Sequence, residues 1–286
     1  MDELEMKQMK KHLALQLEKY VTIIKNEFKD FIPSDTLKFL NCITNYEDII
    51  QIEETGTITC FVRNGKVYFP LLAYKVLNAL KRVLGFGSVP NHTVYNKETI
   101  IINDNTFNTY IVHVFLKGLS PLEFYEEMLL HEAMHLCGFD GNIAFREGIV
   151  ELKTRELAKK YNLKTNSCGY PKEVKLIYKL QEIFGSNLIT RLGIKMLNTE
   201  RRMIIYENLG SDGVDFFEKV IHMMEEEFQT KYYKYVFSFT GITAPFKKAK
   251  KYNGIDYTNV YKVIKEFCDK QGRKISNANK ITQPRK

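Results

Sequence analysis

The residues of this chain whose types and spacing could do chemistry lie in one stretch, Met128-Leu129-Leu130-His131-Glu132-Ala133-Met134-His135-Leu136-Cys137-Gly138. A helix brings positions four apart onto one face, so His131 and His135 point the same way, one turn apart. Two imidazoles so placed can hold one Zn²⁺ at about 2.0–2.1 Å each. Glu132 follows the first of them, where its carboxylate can reach a water at the metal rather than the metal itself. A metal that acidifies water and polarises a carbonyl, beside a carboxylate that shuttles the proton, is the chemistry of amide hydrolysis.

The helix that must carry these groups has clear ends. Ser120 is a candidate N-cap, Pro121 suits the first helical position, and Glu123 completes a Ser-x-x-Glu capping box. Gly138 is placed to stop the helix. Leu129, Leu130, Ala133, Met134 and Leu136 make it apolar on nearly every side, so it should be buried. Two histidines and a carboxylate in such a helix are costly unless something satisfies them. Cys137 lies about 160° round the helix from His135 and reads as core.

A catalytic zinc needs a third protein ligand and an open position. Three carboxylates follow the histidines: Asp140 in the turn, Glu147 early in the next helix, and Glu151 one turn further. Glu147 is favoured, 11 residues separating it from His135, because the small Gly148 beside it would let the two helices approach closely. Asp140 and Glu151 remain the alternatives. Glu147 and Glu151 could instead form a solvated acidic face paired with Arg146, Lys153 and Arg155. If Glu147 ligates, Glu151 can accept the outer N–H of a ligand histidine.

His131-Glu132-x-x-His135 resembles the zincin metallopeptidases. Arg146-Glu147-Gly148-Ile149-Val150-Glu151 is similar to the Glu-Gly-x-x-Glu helix of many gluzincins. The resemblance covers roughly residues 90 to 160. It implies that His131, His135 and Glu147 bind zinc and that Glu132 is the general base. Asn91–Asn96 and Thr99–Asp104 look like the family's edge strand and the strand after it. The gap before Glu147 is shorter than in the large gluzincins, which leaves the subfamily open. The metzincin pattern fails because Gly141 stands where its third ligand belongs. Gluzincins also draw an oxyanion-stabilising Tyr or His from a later helix, for which Tyr170, Tyr206, His222 and Tyr232 are all candidates here.

The 286 residues can bury a large core, in one domain or two lobes. Hydrophobic content of 44% and charged content of 27% are those of a soluble globular protein. The net charge of +8 mildly favours acidic partners and gives no reason to expect nucleic acid. Five cysteines at irregular spacing do not read as a disulfide framework. No signal peptide or membrane span is evident, so the expectation is a cytoplasmic protein acting on a peptide or protein substrate, away from membranes, its oligomeric state open.

The surrounding elements complete the expectation. Residues 1 to about 30 read as one or two amphipathic helices, and Ser34 or Asp35 caps another through Leu40. Thr57–Val62 and Lys66–Phe69 flank Arg63-Asn64-Gly65 as a hairpin. Leu71 to Leu84 reads as a helix. Thr109 to Leu116 reads as a strand by its β-branched content or as a helix by its place before the histidine helix, the helix being favoured, and His113 there is taken as a core residue. Ile143 to Tyr161 and Pro171 to Phe184 are helices, and the pattern stays helical to about 270, with breaks at Gly193, Gly210–Gly213 and Gly241–Pro245. The expected fold is therefore α+β. It has an N-terminal helical region (1–56), a zincin-like catalytic lobe with a small twisted sheet (57–163), a helical C-terminal lobe (164–270) and a basic tail (271–286). The function expected is zinc-dependent peptide hydrolysis. The alternatives are a zincin-fold regulatory or binding protein, its zinc structural or its peptidase activity lost, and a toxin-like protease acting on one host protein.

Overall fold

Leu13, Leu17, Tyr20, Val21, Ile24 and Phe28 recur at helical spacing, and all are buried along one side of helix α1, Glu3–Phe28. The computed structural model describes residues 3–53, 61–63, 66–70, 121–163, 170–194, 196–238 and 255–271. After Pro33 the chain turns into α2, Ser34–Cys42. A single 3-10 turn at Tyr46–Asp48 follows, held by the Glu47 amide donating to the Asn45 side chain at 3.0 Å.

Three short strands follow: β1, Ile50–Glu53; β2, Phe61–Arg63; and β3, Lys66–Pro70. They lie in the order β1-β3-β2. In the described part of the expected hairpin β2 pairs with β3, antiparallel with Val62 opposite Val67; residues 57–60 of it lie outside the described residues. The parallel pairing of β1 with β3 has no counterpart in the sequence reading.

Helix α3, Pro121–Leu136, carries the two histidines and packs against α1. Its Glu126 is buried and pairs with His12 across that contact. Gly138, at φ 99°, ends the run in a conformation that side chains disfavour. Helix α4, Ile143–Tyr161, returns alongside and stops at Asn162 in the left-handed region. Next come α5, Pro171–Phe184, and α6, Ser186–Leu192. Helix α7 runs Asn198–Ser238 with a kink at Gly210, and α8 spans Thr258–Lys270. Phe184, Phe216, Phe217 and Phe267 form an aromatic cluster among α5, α7 and α8, with Phe216 and Phe267 stacked at 4.0 Å. The buried apolar residues of α1 through α8 make one continuous core.

The expected α+β class does not hold. The described residues form a mainly α protein, with strand confined to the three short segments above. The physical reason is that apolar positions at helical spacing run through nearly every described segment, so helices rather than a sheet bury the core. The strand pair expected at Asn91–Asn96 and Thr99–Asp104 lies outside the described residues. So do the helices expected at 71–84 and 109–116, the Gly241–Pro245 break and residues 272–286 of the basic tail. At Gly210–Gly213 the expected break is a kink, with only Gly210 leaving helical geometry at φ 71° and ψ −170°. Among the described residues, no helix is long and apolar enough to cross a membrane.

Candidate metal centre

The i, i+4 spacing on α3 puts the His131 and His135 rings edge to face, centroids 5.0 Å apart. Their Nε2 atoms approach to 3.3 Å. Glu147, from the second turn of α4, completes the group: its Oε2 lies 3.1 Å from His131 Nε2 and 3.5 Å from His135 Nε2. His131, His135 and Glu147 thus offer three converging ligand atoms that could hold a metal ion.

The outward-facing atoms of the same side chains are all engaged. His131 Nδ1 meets Glu151 Oε2 at 3.1 Å, and His135 Nδ1 donates to the Phe139 carbonyl at 3.2 Å. With both Nδ1 hydrogens directed outward, both Nε2 lone pairs can face the centre. Glu147 Oε1 accepts from Arg146 Nε and Nη2 at 3.1 and 2.8 Å, which leaves Oε2 for the ion. Glu151 Oε1 accepts from Arg155 Nε at 2.8 Å. This arrangement meets the requirement that buried polar groups be satisfied.

The three candidates for third ligand take different places. Glu147 and Glu151 are buried, so the solvated acidic face does not form. Only Glu147 joins the converging group. Glu151 stands behind His131. Asp140 is half exposed, accepts from the Gly141 amide at 2.7 Å and faces Arg146 at 3.5 Å. Gly148 serves a different contact from the one expected. The three atoms nearest to a β-carbon there would all belong to α5, at 2.9 Å for Ile177 Cγ1 and 3.0 and 3.1 Å for Glu173. The close approach is therefore between α4 and α5 rather than between α4 and the histidine helix.

Electrostatics follow from burial and from these pairs. Burial pulls the His131 imidazole down, but the Glu147 and Glu151 carboxylates more than offset it and raise its pKa to about 10. Burial alone would raise Glu147, yet His135 and His131 hold it well below the usual carboxylate range. Ligand atoms that draw a proton this strongly also favour a cation, which must displace that proton. Glu132 is 5% exposed, and burial raises its pKa against the pull of both histidines.

Four later residues were candidates for stabilising an oxyanion, and among those whose side chains are described Tyr170 is the one found at the site. Its ring stacks on His131, centroids 5.9 Å apart. Tyr206 is exposed, and His222 is exposed beside Glu226 on the outside of α7. The side chain of Tyr232 and the whole of His113 lie outside the described residues. Cys137 is buried in the core, where burial pushes its thiol pKa up.

The Arg146 pairing with Glu147 was weighed as part of a solvated face and is found on a buried carboxylate instead. Two features of the site were not anticipated: the Phe139 carbonyl and Glu225. The last accepts from the Ala144 amide at 3.0 Å and so caps the helix that carries Glu147. A helix stop at Gly138 was a usable signal for the first, because it frees a nearby carbonyl. Glu225 is 81 residues from Ala144 and left no such signal. Compared with known proteins, the chain matches no family model, no curated protein and no solved structure.

Proposed function

We propose that this protein is a zinc-dependent peptidase, with His131, His135 and Glu147 as the zinc ligands and Glu132 as the general base. One observation carries the reading. Donors about 2.0–2.1 Å from a tetrahedral ion stand about 3.3–3.4 Å from one another, and the three donor atoms here are separated by 3.1, 3.3 and 3.5 Å. Two imidazoles and one carboxylate are also a donor set that zinc accepts in catalytic sites. When bound, the zinc would supply Lewis acidity that polarises the substrate carbonyl and makes a neighbouring water more acidic.

The remaining steps belong to the protein. Glu132 follows His131 directly but is not a member of the converging group, so its carboxylate stays available for a proton. It takes the proton from the attacking water and hands it to the leaving amine. Burial, by raising its pKa, brings its proton affinity nearer to working pH, as a shuttle requires. Arg146 and Glu151 hold Glu147 and His131 in place through their outer atoms. The Tyr170 hydroxyl is the candidate to stabilise charge on the carbonyl oxygen.

The test is zinc analysis of the purified protein together with cleavage of a broad peptide library by the wild type and by Glu132→Gln. Zinc at about one ion per chain and cleavage lost only in the variant support the reading. Zinc without cleavage by either protein would favour a binding or regulatory role, and a protein that takes up no zinc would end the proposal.

A further inference from the structure

The residue before a proline avoids helical backbone angles, and a bulky aromatic rarely enters the left-handed region. Tyr170 precedes Pro171 and yet has φ 48° and ψ 46°. Backbone strain of this kind persists where the surroundings over-determine it, typically at a functional site. The surroundings here are two rings. The Tyr170 ring stacks with the His131 imidazole, centroids 5.9 Å apart and planes within 22°. Phe228 of α7, 2% exposed, stands 6.4 Å from the Tyr170 ring and is tilted by 34° to it. Rings from three parts of the chain thus neighbour one another in turn, the last being a histidine of the metal centre.

An imidazole nitrogen offers its lone pair in the plane of the ring, so a ligand histidine must have its plane held as well as its position. The bond from His131 Nδ1 to Glu151, at 3.1 Å, decides which way the ring is flipped. In the metal-free protein His131 Nε2 also meets Glu147 at 3.1 Å, yet two in-plane bonds at opposite ends of the ring still let it rock about the line that joins them. A flat partner against the ring face removes that freedom.

We propose that Tyr170 is a positioning residue for His131. Its stacked face, backed by Phe228, sets the plane in which Nε2 meets His135 and Glu147. The left-handed backbone at Tyr170 is what delivers the ring to that face. The role belongs to the ring and not to the hydroxyl. It rests on the peptidase reading only in taking His131 as a ligand.

The experiment uses the full chain with ¹⁵N-labelled histidine rings. The water-exchange rate of the His131 Nδ1 proton is measured in metal-free protein, and the dissociation rate of Zn²⁺ in loaded protein. Tyr170→Phe should leave both rates at wild-type values. Tyr170→Leu, which keeps bulk but removes the flat face, should raise both at least about tenfold, the usual scale for removing support from a metal ligand. Wild-type rates in Tyr170→Leu would overturn the proposal. So would equal damage by Tyr170→Phe, which would assign the effect to the hydroxyl. Should Tyr170→Leu fail to fold, Phe228→Leu reads the same set of rings: faster exchange is expected, and unchanged exchange overturns the proposal. A wild type that takes up no Zn²⁺ sinks the peptidase reading, while the proton-exchange comparison in metal-free protein still decides this one.

Discussion

Glu151 accepts from two directions at once: His131 Nδ1 lies 3.1 Å from one of its oxygens, and Arg155 Nε donates to the other at 2.8 Å. A buried carboxylate between a candidate ligand histidine and an arginine fixes the tautomer of that histidine. It also separates two kinds of glutamate on α4, one in the group that could hold an ion and one standing behind its histidine. The order of mutational effects should follow that division.

Glu147→Ala should weaken zinc binding most, because it removes one of three donors. Glu151→Ala should cost about 10–100-fold in affinity, the usual penalty for losing a partner of a ligand histidine. Asp140→Ala should cost least, since Asp140 is half exposed and reaches the site only through Arg146. Competitive zinc titration of the three variants gives the ranking, and Asp140→Ala as the worst would remove Glu147 from the ligand set.

His131→Ala and His135→Ala should each abolish stoichiometric zinc. Because the ion would join α3 to α4, zinc should also protect the fold. Free zinc at about 100 times its Kd adds about 2.7 kcal/mol to unfolding free energy. Thermal melts with and without a chelator measure this, and a wild-type midpoint indifferent to zinc would contradict it.

Glu132→Gln should keep zinc and fold and lose hydrolysis by at least about 10²–10⁴-fold. Glutamine fills the same space and still hydrogen-bonds water, yet it cannot take the proton. The melting temperature should stay level or rise, since the change removes a carboxylate whose charge burial already disfavours. Full cleavage by this variant would exclude Glu132 as the base.

Gly148→Ala sets two effects of known sign against each other. Replacing an interior helical glycine gains about 1 kcal/mol from helix propensity. Forcing a methyl to within 2.9 Å of Ile177 and 3.1 Å of the Glu173 backbone costs about 1–3 kcal/mol of overpacking. Packing should prevail, because part of the obstacle is backbone that cannot step aside cheaply. Urea unfolding decides the sign, and a stabilised variant would mean that α4 and α5 can part easily.

Tyr257→Phe tests another buried carboxylate. The Tyr257 hydroxyl donates to Glu173 at 2.6 Å, and Glu173 is 2% exposed. Hydrogen bonds to charged groups contribute about 1.5–3 kcal/mol, so a loss of that size is expected in chemical unfolding. A loss within about 0.5 kcal/mol would show that Glu173 gains little from the tyrosine.

Much of the site could be read from the chain because its signals are local. His131 and His135 share a helix face by spacing alone, and the limits of α4 and α5 coincide with the expected Ile143–Tyr161 and Pro171–Phe184. The contact of Gly148 with α5 could not be read, since a small residue announces a close approach without naming the partner. Tyr170 stood among four candidates, and a ring's stacking partner depends on tertiary placement. Fold class failed for a related reason. Short β-branched runs were weighed as sheet, whereas helices make up most of the described residues.

The ligands fall within the 17 residues from His131 to Glu147. Drawing the third ligand from about 100 residues away would add about 1.5 kcal/mol of loop-closure entropy, at about 0.6 kcal/mol per doubling of length. Two helices and one turn are therefore enough to gather every donor atom. The rings that steady His131 come later in the chain, at Tyr170 and then Phe228, and the glutamate that caps α4 comes at Glu225. A chain emerging from the ribosome thus presents the three residues that could hold a metal before the parts that would hold them rigid, so a cation could meet its donors before the packing that refines them.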